Sequence, residues 1–273
     1  MKNTKLIFSL VIVTCLYILC SCNKNSTSEE ITDNKKIIYI GSDIYSPFFI
    51  EDGDGSYTGI DVLLASEAFS RMGYKAVFKK IEWKHKNDYL KNKEVDCLWG
   101  SFTMTGREND YLWAGPYMNS RQIVAVSTNS DIYSLSDLYN KRIGVQITTK
   151  PDEIFSTNSD SRIPAIRRLY CFSRMEYVFA ALRKDYVDAI AGHETAFLDF
   201  MYNSSSHKDY RILKETLLDG KTGVAFSKDY DIALVESLTS TLIQMKGDGF
   251  IASILSKYNI DVKNALDGVL NEE

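Results

Sequence analysis

The segment Ser101-Phe-Thr-Met-Thr-Gly-Arg107 carries residue types suited to holding an anion. Ser101, Thr103 and Thr105 bring hydroxyls. Arg107 brings a guanidinium whose planar fork matches a carboxylate in two parallel hydrogen bonds. The segment follows an apolar run, Val95-Asp-Cys-Leu-Trp99, that reads as a buried strand. Hydroxyls and free backbone N–H groups at a strand end form a polar nest for anions, and Pro116-Tyr117 then carries the chain away from it. Spacing alone leaves a second reading open, in which Arg107 is a solvated surface charge on a hydroxyl-rich loop.

The elements that must position these groups alternate between strand and helix. Lys36-Ile-Ile-Tyr-Ile-Gly41 is apolar throughout, as in a strand covered on both faces. Ser42 to Phe48 leaves its C-terminal end, where open α/β sheets bind ligands. Asp52-Gly-Asp-Gly55 reads as a hairpin turn and lacks the closing Glu of a calcium loop. Gly59 to Phe69 places Ile60, Leu63, Leu64 and Ala68 on one helical face, and Gly73 ends that helix. Further strands are expected at 76–81, 121–127 and 167–172, and a helix at 175–183.

The chain has 273 residues, enough for two compact domains, with ordinary contents of hydrophobic (45%) and charged (25%) residues. A net charge of −4 argues against nucleic-acid binding. Lys2 and Lys5 precede an apolar run, Leu6 to Leu19, that is shorter than the roughly 20 residues of a membrane-spanning helix. Leu19-Cys-Ser-Cys22 follows and resembles a bacterial lipobox. On that reading residues 1–21 are a cleaved leader, Cys22 receives a lipid, and loss of Lys2 and Lys5 takes the charge from −4 to −6. Residues 22–35 are polar and aperiodic, and read as a flexible tether. Cys97 and Cys171 sit in apolar runs and read as buried small hydrophobes rather than a disulfide.

Several segments together resemble the family 3 extracellular solute-binding proteins, the amino-acid receptors of bacterial ABC importers. Thr105-Gly-Arg107 stands before Pro116-Tyr117 as a shortened form of the family's Thr-Pro-Glu-Arg. Gly59-Ile-Asp-Val62 is similar to its Gly-Phe-Asp-Val. Leu135 to Val145 resembles the segment opening its second lobe, and Tyr186-Val-Asp-Ala-Ile190 resembles its Gly-x-Val-Asp-Ala-Val strand. Met245-Lys-Gly-Asp-Gly249 resembles its closing helices. The resemblance runs from about Lys36 to Tyr258.

It implies a type II periplasmic-binding-protein-like α/β fold of two lobes, each a sheet flanked by helices, joined by two crossing strands. Lobe one would comprise 36–124 and 222–262, and lobe two 126–220, closing by a hinge on a ligand between them. In the family the arginine, here Arg107, grips the ligand carboxylate, with Gly100, Ser101 and Thr103 beside it. Tyr45 and Trp83 take the family's aromatic positions, although Trp83 suits a packing role equally well. Gln146-Ile-Thr-Thr149 stands where the family has Gly-Thr-Thr before a helix, so Thr148 and Thr149 either meet the same carboxylate or simply cap that helix. The family's ammonium-binding aspartate falls at His193, with Glu194 next. Glu194 is the expected ammonium partner and His193 a cleft residue that titrates near pH 6–7; the alternative is that both are solvated loop residues.

The implied partners are an amino acid or similar carboxylate, ABC permease subunits and a membrane reached through the lipid. A monomer without cofactor or metal is expected outside the cytoplasm. Two other classes fit the same scaffold: a cyclohexadienyl-dehydratase-like enzyme using His193-Glu194 as base, and a ligand-sensing module.

Overall fold

The computed structural model describes residues 35–203 and 209–270. The leader, Cys22 and the tether up to Asn34 lie outside the described residues.

Strand β1 (Lys36–Ser42) pairs in parallel with β4 (Tyr74–Lys80) on one side and with β5 (Cys97–Leu98) on the other. Its central residues Ile38 and Ile40 are buried, as its unbroken apolar sequence requires. The Asp52–Gly55 turn joins β2 (Ile50–Glu51) to β3 (Tyr57–Thr58) in a short hairpin. Helix Ile60–Arg71 buries Ile60, Leu64, Ala68 and Phe69 and stops before Gly73, whose φ of 80° suits glycine. Strand β5 is shorter than the 95–99 run: it pairs only where β1 and β11 both reach it, at Cys97 and Leu98.

Two long antiparallel strands occupy the middle of the sheet, β6 (Leu112–Ser127) and β11 (Leu218–Phe226). The first begins well before the expected Arg121, because Leu112 to Thr222's partner Met118 already pairs with β11. From Gln122 onward β6 pairs on its other side with β9 (Ala189–His193), and its last residues take β10 (Tyr210–Ile212). Beyond β9 lie β7 (Arg142–Gln146) and β8 (Arg168–Phe172), both parallel. The order β4-β1-β5-β11-β6-β9-β7-β8 therefore links two parallel-stranded halves through β6 and β11.

The main apolar cluster runs through both halves, since Val178, Phe179 and Phe197 of the second belong to it with Phe69 and Trp99 of the first. In the first, Leu238, Leu242 and Met245 of helix Ile232–Gly247 join the cluster containing Phe69 and Trp99. In the second, Val124, Val126, Ile143, Val145 and Ile154 form a separate cluster. Cys97 is buried and free as expected. Cys171 is free but exposed, since β8 is the edge strand; its thiol donates to Asp152 Oδ1 at 3.2 Å, and burial followed by that carboxylate pushes its pKa to about 12.

Candidate functional site

The chain leaves β5 through Trp99-Gly100-Ser101. A Cβ on Gly100 would lie 2.1 Å from Ser42 Oγ, so only glycine lets the two strand ends approach. Ser101 then takes φ 49°, a left-handed conformation uncommon outside glycine. Asp61 at the start of helix Ile60–Arg71 holds it there: Ser101 N–H donates to Asp61 Oδ2 at 2.6 Å, and Tyr117 O–H donates to Oδ1 at 2.8 Å. Burial pushes Asp61 up to about 7 against those two bonds. Ser101 Oγ is buried and has no partner among the described residues.

Gln122 and His193 are direct cross-strand partners on β6 and β9, so their side chains share one face. Gln122 Nε2 donates to Thr103 Oγ1 at 3.1 Å and lies 3.0 and 3.2 Å from His193 Nδ1 and Nε2. Thr103 Oγ1 is itself 3.4 Å from His193 Nε2. Arg107 lies over the Phe102 ring at 5.4 Å, and Trp113 Nε1 donates to its carbonyl at 3.0 Å. Its side chain is only 10% exposed.

These donors line a partly open cavity, which Tyr45, Trp83, Gly100, Ser101, Thr103, Arg107, Thr149 and His193 all border. The second half closes on it. Arg107 Nε and Nη2 donate to Glu153 Oε2 at 3.1 and 2.9 Å, and Lys150 Nζ donates to Oε1 at 2.5 Å. Burial favours a neutral Glu153, but Lys150 and Arg107 outweigh it and hold the carboxyl below its usual range. One carboxylate between two cations leaves the trio with a single net positive charge.

The cavity also has an acid, Asp43, at the C-terminal end of β1. Gln146 Nε2 donates to its Oδ2 at 2.5 Å. Desolvation raises its pKa to about 7, against the Gln146 bond and the charge of Lys86. Lys86 is itself pulled down to about 8 by burial and by Arg107, and donates to the Thr148 carbonyl at 3.2 Å. Ser46 Oγ donates to Asp199 Oδ2 at 2.7 Å, so hydrogen bonds from several elements join the two halves around the cavity.

Three expected roles meet a different geometry. Thr148 does not border the cavity; its N–H donates to Asp152 Oδ2 at 2.6 Å. Thr149 borders it, but its hydroxyl donates to the Gln146 carbonyl at 2.6 Å. Both groups are thus engaged locally, and Thr149, at the N-cap of helix Lys150–Thr157, makes no side-chain cap hydrogen bond to it. Glu194 is not brought to the cavity: Arg121 holds both its oxygens, with Nε to Oε2 at 2.8 Å and Nη2 to Oε1. The direction of the chain explains this, because β9 turns Gly192 and His193 toward the cavity and helix Glu194–Asn203 starts beyond it. His193 does border the cavity, yet desolvation and then Arg107 push its pKa down to about 3. It is neutral at pH 6–7 and supplies no titration there.

Asp43, Gln122, Gln146, Lys150 and Glu153 were not singled out by their spacing. Two of them left a signal: Asp43 ends an apolar strand at the ligand-binding end of a sheet, and Gln122 is a polar interruption before the apolar run Ile123 to Val126.

The sequence pattern of the bacterial extracellular solute-binding proteins, family 3, matches residues 37–261. The chain belongs to this family. The L-cystine-binding protein TcyA of Bacillus subtilis is 25% identical over 93% of this chain and 97% of its own length. The histidine-binding periplasmic protein of Salmonella typhimurium is 26% identical over 81% of this chain and 86% of its own. Among solved structures, a substrate-binding protein of a Streptococcus pneumoniae ABC uptake transporter with bound histidine superposes with a TM-score of 0.77 at 23% identity, covering 83% and 94% of the two chains. An ancestral arginine-binding protein bound to arginine gives 0.73 at 24%, covering 82% and 98%. The fold is the type II periplasmic-binding-protein fold that the sequence motifs imply, with its two lobes joined by β6 and β11.

Proposed function

We propose that the protein is an extracytoplasmic receptor that binds one amino acid in this cavity and delivers it to an ABC permease. The observation that carries the reading is a set of donors sharing one cavity with a buried acid. Ser101 Oγ, the Thr103 hydroxyl and Arg107 suit a carboxylate, while Asp43 suits an ammonium group. A zwitterion satisfies both ends. The relatives named for cystine, arginine and histidine binding support the same class. In this reading the lobes are 36–124 with 222–262 and 126–220, and a ligand that touches both favours closure by its differential affinity for the closed state. Cys22 carries the lipid that retains the receptor at the membrane. A binder is preferred to an enzyme because His193 is engaged in a static hydrogen-bond network and Glu194 is paired outside the cavity.

Calorimetry with the twenty amino acids and with des-amino and carboxamide analogues tests the reading. At least one amino acid is expected to bind in the micromolar range or tighter and to lose affinity when either charged end is removed. No binding by any amino acid overturns it.

A further inference from the structure

Gln122 is fully buried at the register where β6 lies between Leu218 of β11 and His193 of β9. Its amide nitrogen is engaged, 3.1 Å from Thr103 Oγ1 and 3.0 and 3.2 Å from the two ring nitrogens of His193. Its carbonyl oxygen Oε1 is buried and has no partner among the described residues, although Gln122 borders the cavity. A buried acceptor without a donor costs about as much as a lost hydrogen bond, so a group that donates to Oε1 gains that energy back on entering.

The character of that group follows from the surroundings. Thr103, Ser120 and His193 around the amide are uncharged. Ser120 Oγ lies 2.6 Å from His193 Nδ1. The positive field of the Arg107 guanidinium reaches this place, lowering the pKa of His193 after desolvation has done so. A second cation placed there is repelled, whereas a neutral hydroxyl or amide N–H is not.

We propose that Gln122 determines specificity: its Oε1 accepts a hydrogen bond from an uncharged donor on the ligand's side chain, so the receptor selects amino acids with neutral polar side chains. The inference rests on the amino-acid reading above, with the carboxylate at Arg107 and the ammonium at Asp43.

The test is a calorimetric panel of near-isosteric pairs, asparagine with leucine and glutamine with methionine, plus lysine. Wild type is expected to bind the polar member of at least one pair about tenfold more tightly than its apolar partner, equivalent to ~1.4 kcal/mol, and to bind lysine more weakly than that polar member. Gln122→Met keeps the length of the side chain and removes Oε1, and is expected to shrink that ratio to within about threefold. Gln122→Glu, which keeps an acceptor at the same place, is expected to shift preference toward lysine; it serves as the reading if Gln122→Met does not fold. An unchanged pair ratio in folded Gln122→Met, an unchanged rank of lysine in Gln122→Glu, or a wild-type preference for the apolar members overturns the assignment of Gln122 and leaves the amino-acid reading standing. Binding of no panel member, together with none of the remaining amino acids, overturns both.

Discussion

Arg107 gives Nε and Nη2 to Glu153, while no described residue bonds its Nη1. A hydrogen bond to a charged group contributes roughly 1.5–3 kcal/mol. Arg107→Ala is therefore expected to weaken amino-acid binding by about ten- to a hundredfold, measured by calorimetry on a folded variant; equal affinity rules the anchor out. Asp43 makes a different kind of statement, because its pKa near 7 means that much of it is protonated at neutral pH. An ammonium group binds the carboxylate form, so binding below pH 7 must release a proton. Affinity should rise as pH increases from 5 to 7 and flatten above, and calorimetry in buffers of different ionisation enthalpy should detect the released proton. Asp43→Asn should abolish both effects, and their persistence would move the ammonium site elsewhere. His193 adds nothing in this window, since it titrates near 3.

At the scale of elements, the loop after β5 is shaped by a residue outside it. Asp61 fixes the backbone N–H of Ser101 and so aims its hydroxyl, with Tyr117 of β6 gripping the other carboxyl oxygen. The folded-state pKa of Asp61 is raised from 3.8 to about 7. Its contribution to stability is thus complete below pH 4 and is lost as pH rises through 7, where the folded protein must either ionise a buried group or retain a proton the unfolded chain has given up. Wild type should lose more stability between pH 4 and 7 than Asp61→Asn does, followed by denaturant midpoints at each pH; parallel curves would show that Asp61 titrates normally. This residue also marks what the sequence made legible. Strand β1, the hairpin, helix Ile60–Arg71 and the Ser101–Arg107 segment could be read because each is a local pattern of apolar period or polar punctuation. The Asp61–Ser101 bond spans 40 positions and the Arg107–Glu153 pair 46, and no local pattern reports contacts set by tertiary packing. Thr148 and Glu194 are of types that suit a ligand, but the Thr148 N–H bonds Asp152 within its own turn and Glu194 is held by Arg121, 73 positions away.

For the whole molecule, the proposed retention through Cys22 and the capture of solute are separable. Cys22→Ser should leave binding intact and release the protein from the membrane fraction; a variant that stays membrane-bound, with no lipid on the mature N-terminus, refutes the anchor. Capture itself involves a contest between two carboxylates. Glu153 sits on helix Lys150–Thr157 of the second half and holds the guanidinium that an incoming carboxylate needs. It behaves as a tethered competitor, present at a fixed effective concentration whatever the amount of solute outside. The observed dissociation constant is then the intrinsic one multiplied by one plus the equilibrium constant of the internal pair. Glu153→Gln should tighten carboxylate binding, and unchanged or weaker binding would show that the ligand shares Arg107 with Glu153 instead of replacing it. If replacement holds, the concentration at which the receptor fills can be reset by changing how firmly one helix holds its own acid against Arg107, with every group that recognises the solute left as it is.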